Sequence, residues 1–216
     1  GPLGAGKTSL IRHLLAHKPA DERWAVLINE FGQIGLDQAL LTTAADGISL
    51  AEVPGGCLCC VNGAPFQVGL ARLLRQARPD RLLIEPSGLG HPAELLAQLA
   101  EPPWTGVLAL QPLLLVLDAA ALAAGQPLPA SQQAALDLAG LLLLNKAEGL
   151  DDASRTRVQA RLPALPLYWT TQGQLPLSAV PGIDARAQAA GAALPLPEGG
   201  GALPALWRDP REPICQ

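Results

Sequence analysis

The stretch Gly1-Pro2-Leu3-Gly4-Ala5-Gly6-Lys7-Thr8 opens the chain and decides the fold. It matches the pattern Gly-x-x-x-x-Gly-Lys-Thr, in which backbone N–H groups wrap the phosphates of a nucleotide and the glycines permit close approach. In such a loop the lysine reaches the β- and γ-phosphates, and the threonine hydroxyl binds Mg²⁺. The alternative is a glycine-rich turn before an ordinary helix. We predict that nucleotide binds at Gly4, Ala5, Gly6, Lys7, Thr8 and Ser9.

Apolar runs alternate with helical stretches after this loop. The runs at 24–29, 82–85, 113–118 and 141–145 predict strands, and the stretches at 7–17, 67–77, 92–100, 131–139 and 153–162 predict helices. Pro92 suits a first helical position and Ser131 a helix cap. Because the strands are continuously apolar, we expect an α/β fold of the P-loop NTPase type, with a mostly parallel, doubly wound sheet and helices on both faces.

The chain divides by composition into two parts. Residues 1–184 form the predicted nucleotide-binding domain, whereas residues 185–216 are rich in Ala, Gly and Pro and predict a linker and the start of a further domain. A phosphate-binding loop normally follows a buried strand, and the 216 residues include no methionine. We therefore expect that a first strand precedes Gly1 in the complete protein.

Charge and hydropathy exclude several classes of function. The net charge of −4 argues against nucleic-acid binding, which favours a basic surface. The longest apolar stretch, 107–124, is interrupted by Gln111, Pro112 and Asp118, which predicts a buried strand and not a membrane span. No signal peptide is evident, so we expect a cytoplasmic protein.

The run Leu82-Leu83-Ile84-Glu85-Pro86-Ser87-Gly88 places a carboxylate at the end of an apolar strand. Such a carboxylate can hold Mg²⁺ through water, and the N–H of Gly88 can sense the γ-phosphate. The alternative is a solvated glutamate followed by a turn. We predict that Glu85 acts with Lys7 and Thr8 in catalysis and, with Thr8, holds Mg²⁺.

A second strand ends in Asn145-Lys146-Ala147-Glu148. Many P-loop GTPases read guanine with Asn-Lys-x-Asp at this place, since the carboxylate accepts hydrogen bonds that adenine cannot donate. Glu148 is one methylene longer than Asp. We predict that Asn145, Lys146 and Glu148 bind the base, although the pattern also suits an ordinary helix start.

Three of the four cysteines lie in the run Gly56-Cys57-Leu58-Cys59-Cys60. Thiolates favour Zn²⁺ or Co²⁺, and we predict that Cys57, Cys59 and Cys60 bind such an ion. Glu30, His91 or a second molecule would supply a fourth ligand. The alternatives are buried structural thiols or an adventitious disulfide.

Two further features have weaker signals. The segment Asn29-Glu30-Phe31-Gly32 lies where a nucleotide-sensing switch is expected, although alone it indicates only a turn after a strand. His13 and His17 are four residues apart on the first predicted helix, and a solvated helix surface is the favoured interpretation.

In order along the chain, the phosphate loop, Asn-Glu-Phe-Gly, Gly-Cys-Leu-Cys-Cys, Glu-Pro-Ser-Gly-Leu and Asn-Lys-x-Glu resemble the CobW-like family of P-loop GTPases, the metallochaperones. The resemblance covers residues 1–168 and extends, more distantly, to the GTPases that load nickel into urease and hydrogenase. It implies slow GTP hydrolysis with Mg²⁺, Zn²⁺ or Co²⁺ at the thiolates, delivery to a client metalloprotein, and a smaller C-terminal domain. Glu148 in place of Asp, and Gln33 where many members have Glu, depart from the family pattern.

The sequence thus predicts a nucleotide-gated metal chaperone in which GTP binding orders the cysteine site. A homodimer is compatible with this hypothesis. Two alternatives remain open at this point. One is a metal-binding or storage module without a productive GTPase cycle, and the other is a P-loop ATPase or small-molecule kinase with redox-active cysteines.

Overall fold

The computed structural model describes residues 1–28, 47–52, 64–86 and 91–183. The strands within these ranges are β1 (Trp24–Ile28), β2 (Ile48–Glu52), β3 (Arg81–Glu85), β4 (Leu113–Asp118), β5 (Ala139–Asn145) and β6 (Leu167–Trp169). The helices are α1 (Lys7–Ala16), α2 (Ala64–Ala77), α3 (Pro92–Leu99), α4 (Ala119–Ala123), α5 (Ala130–Leu136) and α6 (Asp152–Gln159).

The described strands form two parallel three-stranded sheets, in the orders β2-β1-β3 and β4-β5-β6. The register aligns the carboxyl ends of neighbouring strands: Ile28 pairs with Glu85, and Asp118 pairs with Asn145. Polar residues at strand ends therefore collect along one edge of each sheet, where open α/β folds bind ligands.

Alternate residues of each strand pack on opposite layers of helices. Trp24, Val26 and Ile28 of β1 join the cluster that contains the apolar face of α1, while Ala25 and Leu27 join the cluster of α2 and α3. β4 and β5 divide in the same way between α1 and the layer of α4, α5 and α6. The predicted α/β class, with a parallel sheet arrangement covered on both faces, is confirmed.

The predicted elements occur with shifts of a few residues at their ends. Pro92 is the first residue of α3, as expected, but Ser131 is not a cap: α5 begins at Ala130 after Pro129, so Ser131 lies inside the helix. The prediction missed β2, α4 and β6. β2 mixes polar and apolar residues, and β6 has only three residues, too few to show a period.

The described part of the chain contains no helix long and apolar enough to cross a membrane. Residues 185–216, predicted to be a linker and the start of another domain, lie outside the described ranges.

Candidate nucleotide site

The phosphate-binding loop leads directly into α1. Gly4 and Gly6 have φ angles of 71° and 99°, which L-residues with a side chain rarely adopt. A Cβ atom at Gly6 would lie 2.1 Å from Nδ2 of Asn145, so this position also needs a glycine for space. Because Gly6 caps α1 without a side chain, the first N–H groups of the helix are left for an anionic ligand.

Lys7 extends back across this loop. Its Nζ donates a hydrogen bond to the carbonyl oxygen of Pro2 at 3.0 Å. Burial lowers the pKa of Lys7, and the nearby charge of Glu85 partly opposes that shift. A partly dehydrated ammonium group held over the loop is suited to pair with phosphate oxygens, which would restore the charge compensation that burial removes.

Thr8 and Glu85 meet at the end of β3. The Thr8 hydroxyl lies 3.1 Å from Oε1 and 3.3 Å from Oε2 of Glu85, and the Glu85 residue is 9% exposed. Burial raises the pKa of Glu85, against the hydrogen bond from Thr8 and the positive charge of Lys7. A hydroxyl and a buried carboxylate side by side are hard oxygen donors, so these two residues fit the requirements of Mg²⁺.

Asn145 fastens the phosphate loop to β5 and to the turn after β6. Its Nδ2 donates to the carbonyl oxygen of Ala5 at 2.8 Å, and its Oδ1 accepts from the N–H of Gly173 at 2.9 Å. Asn145 is 2% exposed. Its amide therefore holds two backbone segments together in the state that the structure describes.

The next residues of the Asn-Lys-x-Glu motif are also held by side chains. Lys146, at a φ of 59°, forms a 2.6 Å ion pair with Asp118, which in turn caps α4 by accepting from the N–H of Ala121. Glu148 is exposed, and its Oε2 accepts a 2.9 Å hydrogen bond from the hydroxyl of Thr171. This leaves Oε1 of Glu148 for a ligand.

A groove of about 680 Å³ opens beside Glu148. Its lining includes Thr171 and Gln174, together with His13 of α1 and His17, the residue directly after this helix. The carboxylate predicted to read the base thus faces a cavity that α1 shares.

The structure brings together most of the predicted nucleotide residues. The loop contains Gly4, Ala5 and Gly6, and Ala5 is fully buried. Lys7 and Thr8 begin α1 beside Glu85, and Ser9 is exposed on the same turn. Asn145 touches this loop directly. Lys146 and Glu148 follow Asn145 in the chain, just after the end of β5.

Other predicted residues lie outside the described ranges: Gly88, the switch segment 29–32 with Glu30, Gln33, and the thiolates Cys57, Cys59 and Cys60. Among the described residues, no group of three or more His, Cys, Asp or Glu side chains is arranged to hold a metal ion. His91 is exposed just before α3.

Sequence reasoning missed Asp118, Thr171 and Gly173. Asp118 carries a signal, because it is a carboxylate at the end of an apolar strand, as Glu85 is. Thr171 and Gly173 follow the short strand β6, and their partners lie on β5 or just beyond its end, so only the fold reveals them.

Comparison with known proteins supplies the family. The profile described as "CobW/HypB/UreG, nucleotide-binding domain" matches residues 1–166. The chain belongs to this family. The CobW/HypB/UreG match spans the phosphate loop, Glu85 and the Asn145 motif, and it confirms the resemblance that the ordered motifs indicated.

Curated relatives in this family are named as zinc chaperones. The chain is 58% identical over 118 residues to "Zinc chaperone YeiR" of Escherichia coli (strain K12), a match that covers 55% of this chain and 35% of that protein. It is 33% identical over 223 residues to "Zinc chaperone CobW" of Pseudomonas aeruginosa, over 87% of this chain and 59% of that protein. The chain therefore spans about a third to three-fifths of the length of these relatives.

Solved structures support the fold. The Zn(II)-bound YjiA GTPase from E. coli superposes with a TM-score of 0.58 at 23% identity, over 82% of this chain and 57% of that one. A Zn(II)-bound triple mutant of the YjiA GTPase superposes with a TM-score of 0.60 at 24% identity, with the same coverage. At these identities the likeness establishes the P-loop α/β architecture.

Proposed function

We propose that this chain is the nucleotide-binding part of a GTP-hydrolysing zinc chaperone. It would bind GTP at the phosphate loop, hold zinc at Cys57, Cys59 and Cys60, and pass the ion to a client metalloprotein in the cytoplasm. The names of the zinc chaperone relatives support zinc as the cargo. A further relative, "Zinc-regulated GTPase metalloprotein activator 1" of Schizosaccharomyces pombe, supports GTP hydrolysis and a metalloprotein client.

The observation that carries the nucleotide part of this proposal is the contact between Thr8 and Glu85 beside Lys7. Residues 77 positions apart meet at the mouth of the loop, where they place a hydroxyl, a buried carboxylate and an ammonium group together. A glycine-rich structural turn would require no such grouping. The arrangement suits a triphosphate with its counter-ion.

The protein residues have separate roles in the proposed reaction. Backbone N–H groups of Gly4, Gly6 and the start of α1 bind and orient the phosphates, and Lys7 neutralises charge on the transferred group. Thr8 and Glu85 would hold Mg²⁺, which when bound supplies further charge neutralisation at the phosphates. Catalysis then consists of positioning and electrostatic stabilisation, with little covalent chemistry for the protein.

Guanine selectivity is assigned to Glu148. Its carboxylate is anchored at one oxygen by Thr171, so the extra methylene relative to Asp does not leave the group free to rotate. The second oxygen is available to accept from the N–H groups of guanine, which adenine lacks. This supports a GTPase over an ATPase.

The nucleotide part of the proposal is tested by GTP hydrolysis with Lys7→Ala. We expect a loss of about 100-fold or more in turnover, because the variant lacks the charge that stabilises the phosphates in the transition state. Arg12→Ala, an exposed position on α1, is the matched control and should retain turnover. Equal turnover in Lys7→Ala and in the unaltered protein would refute the assignment.

A further inference from the structure

We propose that His13 and His17 form a second divalent transition-metal site, at the end of α1 and separate from the cysteine motif. This inference goes beyond the proposed function, since it stands on contacts at the end of α1 and in the groove beside it and does not require nucleotide turnover. The pair is the feature of the described site that nucleotide binding leaves unexplained.

The spacing of the two histidines suits shared coordination. His13 lies in the last turn of α1 and His17 is the residue that ends this helix, and their ring centroids are 4.2 Å apart with planes tilted by 37°. Two imidazole nitrogens on a tetrahedral zinc ion, each at about 2.0–2.1 Å, lie about 3.3 Å from each other. Ring centroids 4.2 Å apart bring the two side chains within the range of that separation.

The hydrogen bonds of the two rings assign their protons. Nε2 of His13 lies 3.1 Å from the carbonyl oxygen of Leu175, and Nδ1 of His17 lies 2.7 Å from the carbonyl oxygen of His13. A carbonyl oxygen only accepts, so each ring donates through the named nitrogen. In the neutral rings, Nδ1 of His13 and Nε2 of His17 are then left with the lone pairs that a metal requires.

Histidines that bind metal ions usually make this kind of hydrogen bond with the ring nitrogen that does not touch the ion. One ring N–H bonds a backbone carbonyl, which fixes the tautomer and orients the other nitrogen toward the ion. Here both members of the pair have such a carbonyl partner before any metal is bound, one from their own helix and one from the segment after β6.

The surroundings predict a weak, exchangeable site. No third His, Cys, Asp or Glu of the described residues completes a cluster with the pair, so water would fill the other positions on the ion. The pair lines the same groove as Glu148, whose carboxylate adds negative charge nearby. Imidazole ligands suit Zn²⁺ and Cu²⁺, and open positions allow the ion to leave again.

The test is a titration of the full chain with Zn²⁺, followed by NMR of the histidine ring nitrogens. Before metal, we expect His13 as the Nε2–H tautomer and His17 as the Nδ1–H tautomer. Zn²⁺ added after the thiolates are saturated should shift Nδ1 of His13 and Nε2 of His17 together. Ring nitrogens that remain unshifted at millimolar Zn²⁺ would overturn the proposal.

Variants separate the pair from the cysteines. In a chain with Cys57, Cys59, Cys60 and Cys215 replaced by serine, His17→Gln should weaken Zn²⁺ binding about tenfold or more, since loss of a ligand costs at least as much as loss of its outer partner. Arg12→Gln, exposed on the same helix, should leave it unchanged. Because His17 is exposed, its replacement should not unfold the chain, whereas His13 also bonds Leu175.

The outcomes also distinguish this site from the proposed function. Unchanged zinc affinity in His17→Gln would refute the histidine site and leave the GTPase assignment intact. Zinc binding at the histidine pair in a native chain that does not hydrolyse GTP would refute the GTPase assignment and support the histidine site.

Discussion

The side chain of Asn145 supports the candidate site by hydrogen bonding to the backbone of two other segments. Its buried amide joins Ala5 of the phosphate loop to Gly173 of the turn after β6, across separations of 140 and 28 residues. The sequence motif predicted a residue that reads the base. The structure adds that this residue holds the loop in place.

Replacement of this amide should therefore cost stability as well as nucleotide affinity. We expect Asn145→Ala to lower the free energy of unfolding by about 2–3 kcal/mol, because a buried carbonyl and a buried N–H both lose their partner. Denaturant unfolding measures this loss. Gln133→Ala, which removes an exposed amide bonded to Leu128, is the control and should change stability by less than about 1 kcal/mol. Equal losses in the two variants would contradict the role given to Asn145.

Glu85 predicts a pH dependence of stability. Burial raises its pKa in the folded protein above the reference value of 4.5. The folded state then binds more protons than the unfolded state between these two values, so the free energy of unfolding falls as pH rises through that interval. The contribution is fully present below the unfolded value and is lost above the folded one.

Glu85→Gln should remove this fall. Without nucleotide, its unfolding free energy should exceed that of the unaltered protein on the alkaline side of the interval, because a buried charge is replaced by a neutral amide. Thermal or denaturant unfolding across pH provides the difference curve, with Glu94→Gln on the exposed side of α3 as the matched control. The difference, taken as the unfolding free energy of Glu85→Gln minus that of the unaltered protein, should fall as pH falls. A difference that rises as pH falls would contradict a raised pKa of Glu85.

At the scale of the elements, the start of α1 depends on glycine for two reasons. Gly6 requires both a positive φ and the absence of a Cβ, since Asn145 occupies that space. Gly125, after α4, has a φ of 84°, but a Cβ atom added there would have no other atom within 4 Å. A side chain at Gly125 would therefore meet only the unfavourable backbone angle, whereas a side chain at Gly6 would meet both that angle and the contact with Asn145.

We expect Gly125→Ala to lower the free energy of unfolding by about 1 kcal/mol, the cost of a left-handed backbone. Gly6→Ala should lose more than this, and it should also lose nucleotide binding because the loop must move away from Asn145. Unfolding curves and nucleotide titration test both. If Gly6→Ala binds nucleotide as the unaltered chain does, the close packing of this loop is not needed for function.

The elements that sequence predicted well are those with a long apolar signal. The strand predicted at 113–118 has the bounds of β4, and the helix predicted at 7–17 extends one residue beyond α1. The sequence did not predict β6 and α4, because elements of three to five residues are too short to show a hydrophobic period. The sequence did not predict the roles of Thr171 and Gly173, because these roles depend on hydrogen bonds to residues that are distant in the chain.

At the scale of the whole molecule, α1 connects the two sheets. Its apolar face packs in one cluster with Val26 of β1 and with Val116 and Leu143 of β4 and β5. The same helix begins at the phosphate loop and ends beside the groove of Glu148. A nucleotide bound at its start therefore contacts an element that packs against both sheets.

The central claim is that triphosphate occupancy strengthens zinc binding at Cys57, Cys59 and Cys60. By linkage, each ligand must then tighten the binding of the other by the same factor. The most direct measurement is the zinc affinity of the full-length protein with GDP and with a non-hydrolysable GTP analogue, in the presence of Mg²⁺. We predict an affinity about fivefold or more higher with the analogue. Equal affinities in the two nucleotide states would contradict it.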